Sequence, residues 1–298
     1  LSVFALRLAG QGMAGHIAAV AMTRWFASNR GRALAFAGLG YSVGEALLPM
    51  IFVALKEHLS WRTLWLISAG LSLVVIPILS RLLRLERTPQ SLEETTESRG
   101  IGGHHWERRA VLRHALFWLA VPALIVPPTF GTAFFFHQVH LAEVTGLGHG
   151  RLVALFPAFT GTAILSMLAS GWALDRFGAA RLIPLWLLPG GLGFLALGWV
   201  PGIGGAAMGV VLLGMTAGGM ATLPNAFWAE AYGTRYVGGI KALGTAGMVF
   251  GSALGPGLTG AFIDLGWPFL SQSPAIAATY VLAAVLLMIG VKTSMADK

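Results

Sequence analysis

Nine stretches of the chain are free of charge, or carry one isolated charge, over lengths close to what a bilayer demands. They fall at 1–23, 33–55, 63–80, 115–136, 152–174, 182–199, 205–228, 242–263 and 275–291. A crossing helix needs about 20 apolar residues, because hydrocarbon offers no partner for an exposed N–H or C=O. The uncharged run 182–229 is divided at Val200-Pro201-Gly202-Ile203-Gly204-Gly205, a turn-forming cluster. Composition points the same way. Only 11% of the 298 residues are charged, against about 25% in soluble domains, too few to coat a water-facing surface. Glycine is abundant, at 40 residues, as suits membrane helices that pack backbone to backbone. The chain has no cysteine, which excludes disulfides, thiolate catalysis and cysteine metal sites. The expectation is an all-α polytopic membrane protein of about nine transmembrane helices.

Basic residues collect on the cytoplasmic side of membrane proteins, and here alternate gaps differ sharply. One set of gaps, with the C-terminus, holds Arg24, Arg30, Arg32, Arg81, Arg84, Arg87, Arg99, Arg108, Arg109, Arg113, Arg176, Arg181, Arg235, Lys241, Lys292 and Lys298. The opposite set holds Lys56, Arg62 and Arg151, while Arg7 lies within a stretch. Sixteen against three places the C-terminus in the cytoplasm and, with nine spans, Leu1 outside. The net charge of +8 is thus spread over loops rather than gathered in a basic patch, which argues against nucleic acid as a partner. The chain opens at Leu1, inside an apolar stretch, and this reads as a truncation.

Residues 84–113 carry mixed charges, Gly100, Gly102-Gly103 and His104-His105, and read as a flexible cytoplasmic linker. The linker divides the spans three and six. Gly40-x3-Gly44-x4-Pro49 in the second span recurs as Gly247-x3-Gly251-x4-Pro256 in the eighth. Arg32-Ala33-Leu34 and Lys241-Ala242-Leu243 open the same two helices alike. The repeat implies two six-helix halves, the first without its initial three helices. The domains read as 1–83, the rest of an N-terminal bundle, 84–113, the central loop, and 114–298, a C-terminal six-helix bundle.

Between the fifth and sixth spans lies Gly171-x3-Asp175-Arg176-x-Gly178, followed by Arg181. This resembles the cytoplasmic loop signature of the major facilitator superfamily. It departs at Ala180, where a second basic residue is usual. The resemblance implies a gating loop, with Asp175 and the arginines bonding helix ends across a gap that opens and closes. Arg7-Leu-Ala-Gly10-Gln11-Gly12-Met-Ala-Gly15 is similar to the family's fourth-helix pattern, so the nine spans correspond to helices four to twelve. Arg30-Gly31-Arg32-Ala33, Phe134-Phe135-Phe136-His137-Gln138 and Ala229-Glu230-Ala231-Tyr232-Gly233 look most like the monocarboxylate and oxalate/formate exchanger branch.

Several constellations carry chemistry, each beside a plainer reading. Gly10-x-Gly12-x-x-Gly15 fits the dinucleotide fingerprint, but no strand precedes it and no acid appears before Glu45, so helix packing is the better account. Arg7 and Glu45 are charges inside apolar stretches, which mark function by default. They lie roughly 24 Å and 21 Å from the cytoplasmic ends of their antiparallel helices, at about 1.5 Å per residue, and can pair. Either they form a structural ion pair, or Arg7 attracts an anionic substrate while Glu45 carries a proton. Glu45 shares a polar face with Gly38, Tyr41, Ser42 and Pro49. His16 reads as a packed histidine or as a relay. His137, His140, Glu143 and His149 have unequal spacing and loop placement, which favours solvent-facing side chains over a metal site. Gln138 and Phe134–Phe136 stand at cavity-mouth depth or in an aromatic belt. Asn225 lines a cavity or caps a helix, and Glu230 with Arg235 reads as an ion pair.

Together these imply alternating-access transport of a small solute, an organic anion such as a monocarboxylate, by proton coupling or exchange. The substrate and proton pathway is expected at Arg7, Gln11, Tyr41, Glu45, His137, Gln138 and Asn225, and the gate at Gly171, Asp175, Arg176, Gly178 and Arg181. The lipid bilayer of the plasma membrane is the surrounding partner, a monomer is expected, and neither cofactor nor metal is implied. A non-transporting receptor, an assembly factor or an inactive remnant of the same fold is the alternative. A membrane-embedded enzyme would need a reactive cluster at one depth, and the sequence holds none.

Overall fold

The computed structural model describes residues 13–26, 29–56, 58–84 and 98–295. Among them nine helices run eleven residues or longer, and no strand forms. We label them α1 (Gly15–Trp25), α2 (Arg30–Lys56), α3 (Trp61–Arg84), α4 (Ala115–Phe136), α5 (Phe156–Phe177), α6 (Leu188–Trp199), α7 (Gly202–Tyr232), α8 (Val237–Asp264) and α9 (Ser273–Met295). Six helical segments are long and apolar enough to cross a membrane: Trp61–Arg81, Ala115–Phe136, Gly150–Phe177, Gly202–Tyr232, Val237–Asp264 and Phe269–Met295. Leu185–Trp199 is a shorter apolar helix. The second stretch read from the sequence forms the 27-residue α2, about 40 Å long at 1.5 Å per residue. The first enters the described residues only in its second half. Loop prolines and glycines set the helix ends. Val200 is extended, and Pro201 stands as the N-cap of α7.

The chain divides into two compact units, Leu1–Ala37 with Glu97–Lys298, and Gly38–Thr96. In the first, α4 packs on α8 and α9, α9 on α6, α6 on α7, and α7 on α5, with α1 resting on α7 and α8. The closest approaches run through small residues. A Cβ on Gly251 would fall 2.9 Å from the Ile125 carbonyl, and one on Gly214 would fall 2.6 Å from that of Phe159. Gly255 and Gly218 face the backbone of Thr129 and Ala163 in the same way. Lipid is as apolar as leucine, so helices gain little by hiding leucine from it, and association rests on such close packing. Aromatic side chains fill the rest. Phe194, Phe269 and Tyr280 are fully buried, with ring centroids 5.9 Å (Phe194–Tyr280) and 6.3 Å (Phe194–Phe269) apart. Apolar residues on the outside, such as Leu165 and Leu282, are more than half exposed and present a lipid face.

The flexible-linker reading is corrected for its second half. Residues 98–113 are folded onto the end of α7, while 85–97 lie outside the described residues. Thr234 N–H donates to the Ser98 carbonyl (3.0 Å) and Trp106 N–H to that of Tyr232 (3.1 Å). The Trp106 ring packs against His114 at 4.6 Å and Tyr232 at 5.6 Å, and His114 Nδ1 hydrogen-bonds the Tyr232 hydroxyl at 3.2 Å. Gly233, at φ 83°, lets the chain turn here; a Cβ would press on His105 Nδ1 at 2.8 Å. Tryptophan, histidine and tyrosine thus supply the apolar contacts that polar linkers lack.

The second unit holds the rest of α2 and α3. Ser60 opens α3, its hydroxyl accepting from Thr63 N–H at 3.2 Å, an N-cap that satisfies an otherwise orphaned donor. Tyr41 is 65% exposed, and of Glu45 only the helical backbone is described. A Cβ on Gly40 would meet nothing within 4 Å among the described residues.

Burial lowers the His114 pKa, so the folded latch favours the neutral ring. A depressed histidine gives stability that is present above the unfolded value of about 6.5 and lost as pH falls below it. The protection factors of residues 98–113, taken against the intrinsic exchange rate at each pH, are therefore expected to fall between pH 7.5 and 5, and His114→Gln should flatten that dependence. Protection factors that do not change with pH in the parent protein would contradict the assignment.

A carboxylate clamp and a buried lysine

The loop singled out in the sequence builds a clamp at one end of the bundle. α2 begins at Arg30, and its first N–H groups have no intrahelical acceptor. Asp175, in the last turn of α5, supplies both acceptors. Gly31 N–H donates to its Oδ1 at 2.8 Å, and Arg32 N–H to its Oδ2 at 3.1 Å. The carboxylate is 9% exposed, whereas the Arg32 side chain, with Nε 3.8 Å away, is 58% exposed. An exposed ion pair contributes about 0–1 kcal/mol, and hydrogen bonds to a charged group about 1.5–3 kcal/mol each. The backbone bonds, aided by the positive helix end, therefore carry the clamp.

Gly171 explains how α5 comes close enough. A Cβ there would lie 2.7 Å from the Gly31 carbonyl and 2.9 Å from Ala35 Cβ, and one on Gly31 would press on the Gly171 carbonyl. The two glycines form a backbone-to-backbone crossing one turn from Asp175.

A second carboxylate repeats the arrangement. Glu230, near the end of α7, accepts from Ala179 N–H at 2.7 Å, just after Gly178 turns the chain at φ 79°. Arg30 lies within electrostatic reach of Glu230 and Asp175; burial lowers its pKa while both carboxylates oppose that shift. Arg235, the expected partner of Glu230, stands over the Tyr236 ring at 5.6 Å. Arg176 lies over Trp172 and Phe177 at 5.7 and 5.8 Å. Arg181 lines a cavity of about 920 Å3 with Glu230 and Lys292. Ala180, where the loop departs from the family signature, packs against the core instead.

Of the expected pathway residues, His137, Gln138 and Asn225 stand in the first unit, and Asn225 lines a cavity that His137 and Gln138 do not line. Arg7 and Gln11 lie outside the described residues. At the end of the bundle away from the clamp, the His137 Nε2 meets the Pro256 carbonyl at 3.1 Å, and Gln138 Oε1 is buried without a partner among the described residues. The Phe134–Phe136 run splits, with Phe134 buried and Phe136 70% exposed. No cluster of three metal-ligating side chains occurs among the described residues. Asn225 lines a cavity of about 210 Å3 between α1, α4, α7 and α8, its Nδ2 donating to the Ala221 carbonyl at 2.8 Å. His16 lines the same cavity.

Lys241 was read as one of the basic loop residues, and the structure corrects this. It stands in the second turn of α8, 4% exposed, in the wall of that cavity. Its Nζ is buried without a hydrogen-bond partner among the described residues. Sequence carried a signal that was not used: Lys241, Gly244, Thr245 and Met248 share one helical face, and all four line the cavity.

Long apolar helices crossing at glycines, end clamps made from carboxylates, and a polar cavity among them define a polytopic helical membrane protein. The chain belongs to the Major Facilitator Superfamily, whose model matches residues 2–244. Among curated relatives it is 29% identical over 273 residues to monocarboxylate transporter 13 of Bos taurus, covering 88% of this chain and 60% of that protein. It is 26% identical over 269 residues to the protein of that name from Rattus norvegicus, with the same coverage. The chain thus spans about 60% of the length of these relatives.

The crossing predicts a steric effect. Gly171→Ala should destabilise the full-length protein by about 1–3 kcal/mol, as overpacking typically does, while Gly161→Ala, where a Cβ meets nothing within 4 Å, should be neutral. Thermal unfolding in micelles decides it; equal losses at both positions would mean that the crossing is not tight.

Proposed function

We propose that the protein is a secondary transporter of a small organic anion, such as a monocarboxylate, working by alternating access as a monomer in the plasma membrane. Proton coupling or exchange drives it, and its C-terminus faces the cytoplasm. The observation that carries the reading is the Asp175 clamp. Two main-chain bonds and one exposed ion pair hold α2 to α5, an amount of energy that helix motion can make and break. Family membership and the similarity to monocarboxylate transporter 13 support the anionic substrate. Arg7 and Glu45 remain in the proposed pathway, Arg7 as an anion attractor and Glu45 as a proton carrier, on the strength of their sequence positions.

Asp175→Asn keeps one acceptor and loses the charge. Loss of one charged hydrogen bond, about 1.5 kcal/mol, corresponds to roughly tenfold in the population of the clamped state. Uptake by full-length protein in liposomes should therefore slow several-fold while the KM stays within about twofold of the parent. A large rise in KM with normal turnover would place Asp175 in the substrate site instead. Sidedness has its own check, since the chain holds no native cysteine. Single cysteines at Ser98 and Ser294 should react with impermeant maleimide only from the cytoplasm, and one at Gly148 only from outside. Labelling of Ser98 and Gly148 from the same face would overturn the topology.

A further inference from the structure

The cavity of about 920 Å3 beside the clamp lies between the turn after α5, the segment leading into α6, and the ends of α7 and α9. The clamp gives no reason for this space. Arg181 and Lys292 line it, both exposed, and neither forms an ion pair with another described residue. Glu230 is the one acidic side chain among the lining residues, and it is engaged elsewhere. It accepts from Ala179 N–H at 2.7 Å and lies within electrostatic reach of Arg30. Arg176 stands over the ring of Phe177, itself a lining residue, at 5.8 Å. The cavity therefore carries an excess of positive charge.

Its other walls are apolar and lead into the span. Leu185 lines the cavity, and Leu188 and Leu192 continue the same helical face; all three are exposed. On α9, Met288 lines the cavity and Val285 and Val281 continue its face, again exposed. Each stripe runs about 10 Å, at 1.5 Å per residue, and α6 packs on α9. Two apolar tracks thus leave one basic pocket, which matches a molecule with an anionic head and two hydrocarbon chains. We propose that the cavity is a binding site for one anionic glycerophospholipid, with the phosphate between Arg181 and Lys292 and the acyl chains along the two stripes. A soluble phosphate would leave the stripes unused. A zwitterionic head would bring a second cation to a pocket whose one carboxylate is already engaged. Basic pockets between membrane helices on the cytoplasmic side suit anionic heads in this way. The assignment rests on the proposed topology only for the leaflet, the cytoplasmic one.

The test uses full-length protein in phosphatidylcholine vesicles with a fluorophore on a single cysteine, since the chain has none of its own. Leu188→Cys reports on the stripe, and Leu165→Cys, exposed on α5, is the control. A Lys or Arg beside an anionic head is worth roughly fivefold in occupancy. Brominated phosphatidylglycerol should therefore quench the label at Leu188→Cys at an at least fivefold lower mole fraction than brominated phosphatidylcholine does. At Leu165→Cys the two lipids should agree within about twofold. Arg181→Gln with Lys292→Gln should erase the preference, and Arg181→Lys with Lys292→Arg should keep it. Should the double change fail to fold, Lys292→Gln alone, at an exposed helix end, is expected to lower the preference several-fold. Equal quenching by the two lipids in the parent, or a preference that survives loss of both cations, would overturn the site. Relief of quenching by millimolar glycerol 3-phosphate would overturn the lipid and assign the pocket to a soluble phosphate. Selective, cation-dependent quenching in a protein that moves no organic anion would leave the lipid site standing and sink the transport reading.

Discussion

Everything in the helical bundle depends on how closely two backbones can approach where leucine has no advantage over lipid. Water drives soluble cores together, but inside a bilayer the gain must come from contact itself. Gly31 against Gly171, Gly214 against Phe159 and Gly251 against Ile125 provide that contact by removing the side chain that would hold the helices apart. Once α2 and α5 touch through main chain, the Asp175 carboxylate is within reach of two free N–H groups. The clamp is therefore a product of the crossing. Without the glycines, the same aspartate would be a solvated residue at a helix end.

Burial follows the same logic. Apolar side chains face outward, and the fully buried positions hold rings such as Phe194, Phe269 and Tyr280 and small residues such as Ala229 beside aliphatic ones such as Leu116 and Leu187. Polar side chains inside the bundle mostly bond to carbonyls of their own helix. Thr259 to Gly255 at 2.8 Å and Thr129 to Ile125 at 2.7 Å show the pattern. Lys241 breaks this rule, its buried Nζ having no hydrogen-bond partner among the described residues.

The fold was largely legible in the sequence because a bilayer permits few solutions. Apolar length and charge-free runs are almost sufficient to mark crossing helices, and the Gly171–Arg181 loop identified the family before any geometry. The site was less legible. Position along the chain placed Lys241 in a loop, since charge near a helix end ordinarily means exposure, and only packing of α1, α4, α7 and α8 encloses it. The linker misled for the converse reason. Glycines and charges at 98–113 predicted flexibility, while Trp106, His114 and Tyr232, far apart in sequence, are what fasten it. The repeat was visible as spacing, yet Gly251 meets a neighbouring helix closely where a Cβ on its counterpart Gly44 would meet, among the described residues, only Leu48 of its own helix at 3.6 Å.

Asp175 grips α2 by peptide N–H groups, which every residue but proline possesses. The lock thus reads backbone shape and ignores side-chain identity at Arg32, so that position can drift between lysine, glutamine or serine while the hold persists. Gly31 has no such latitude, since its own bulk decides whether the crossing exists. Neighbouring residues in one turn are consequently under opposite degrees of constraint: one is bound to a single choice, and the other is nearly free to serve lipid headgroups, solubility or regulation.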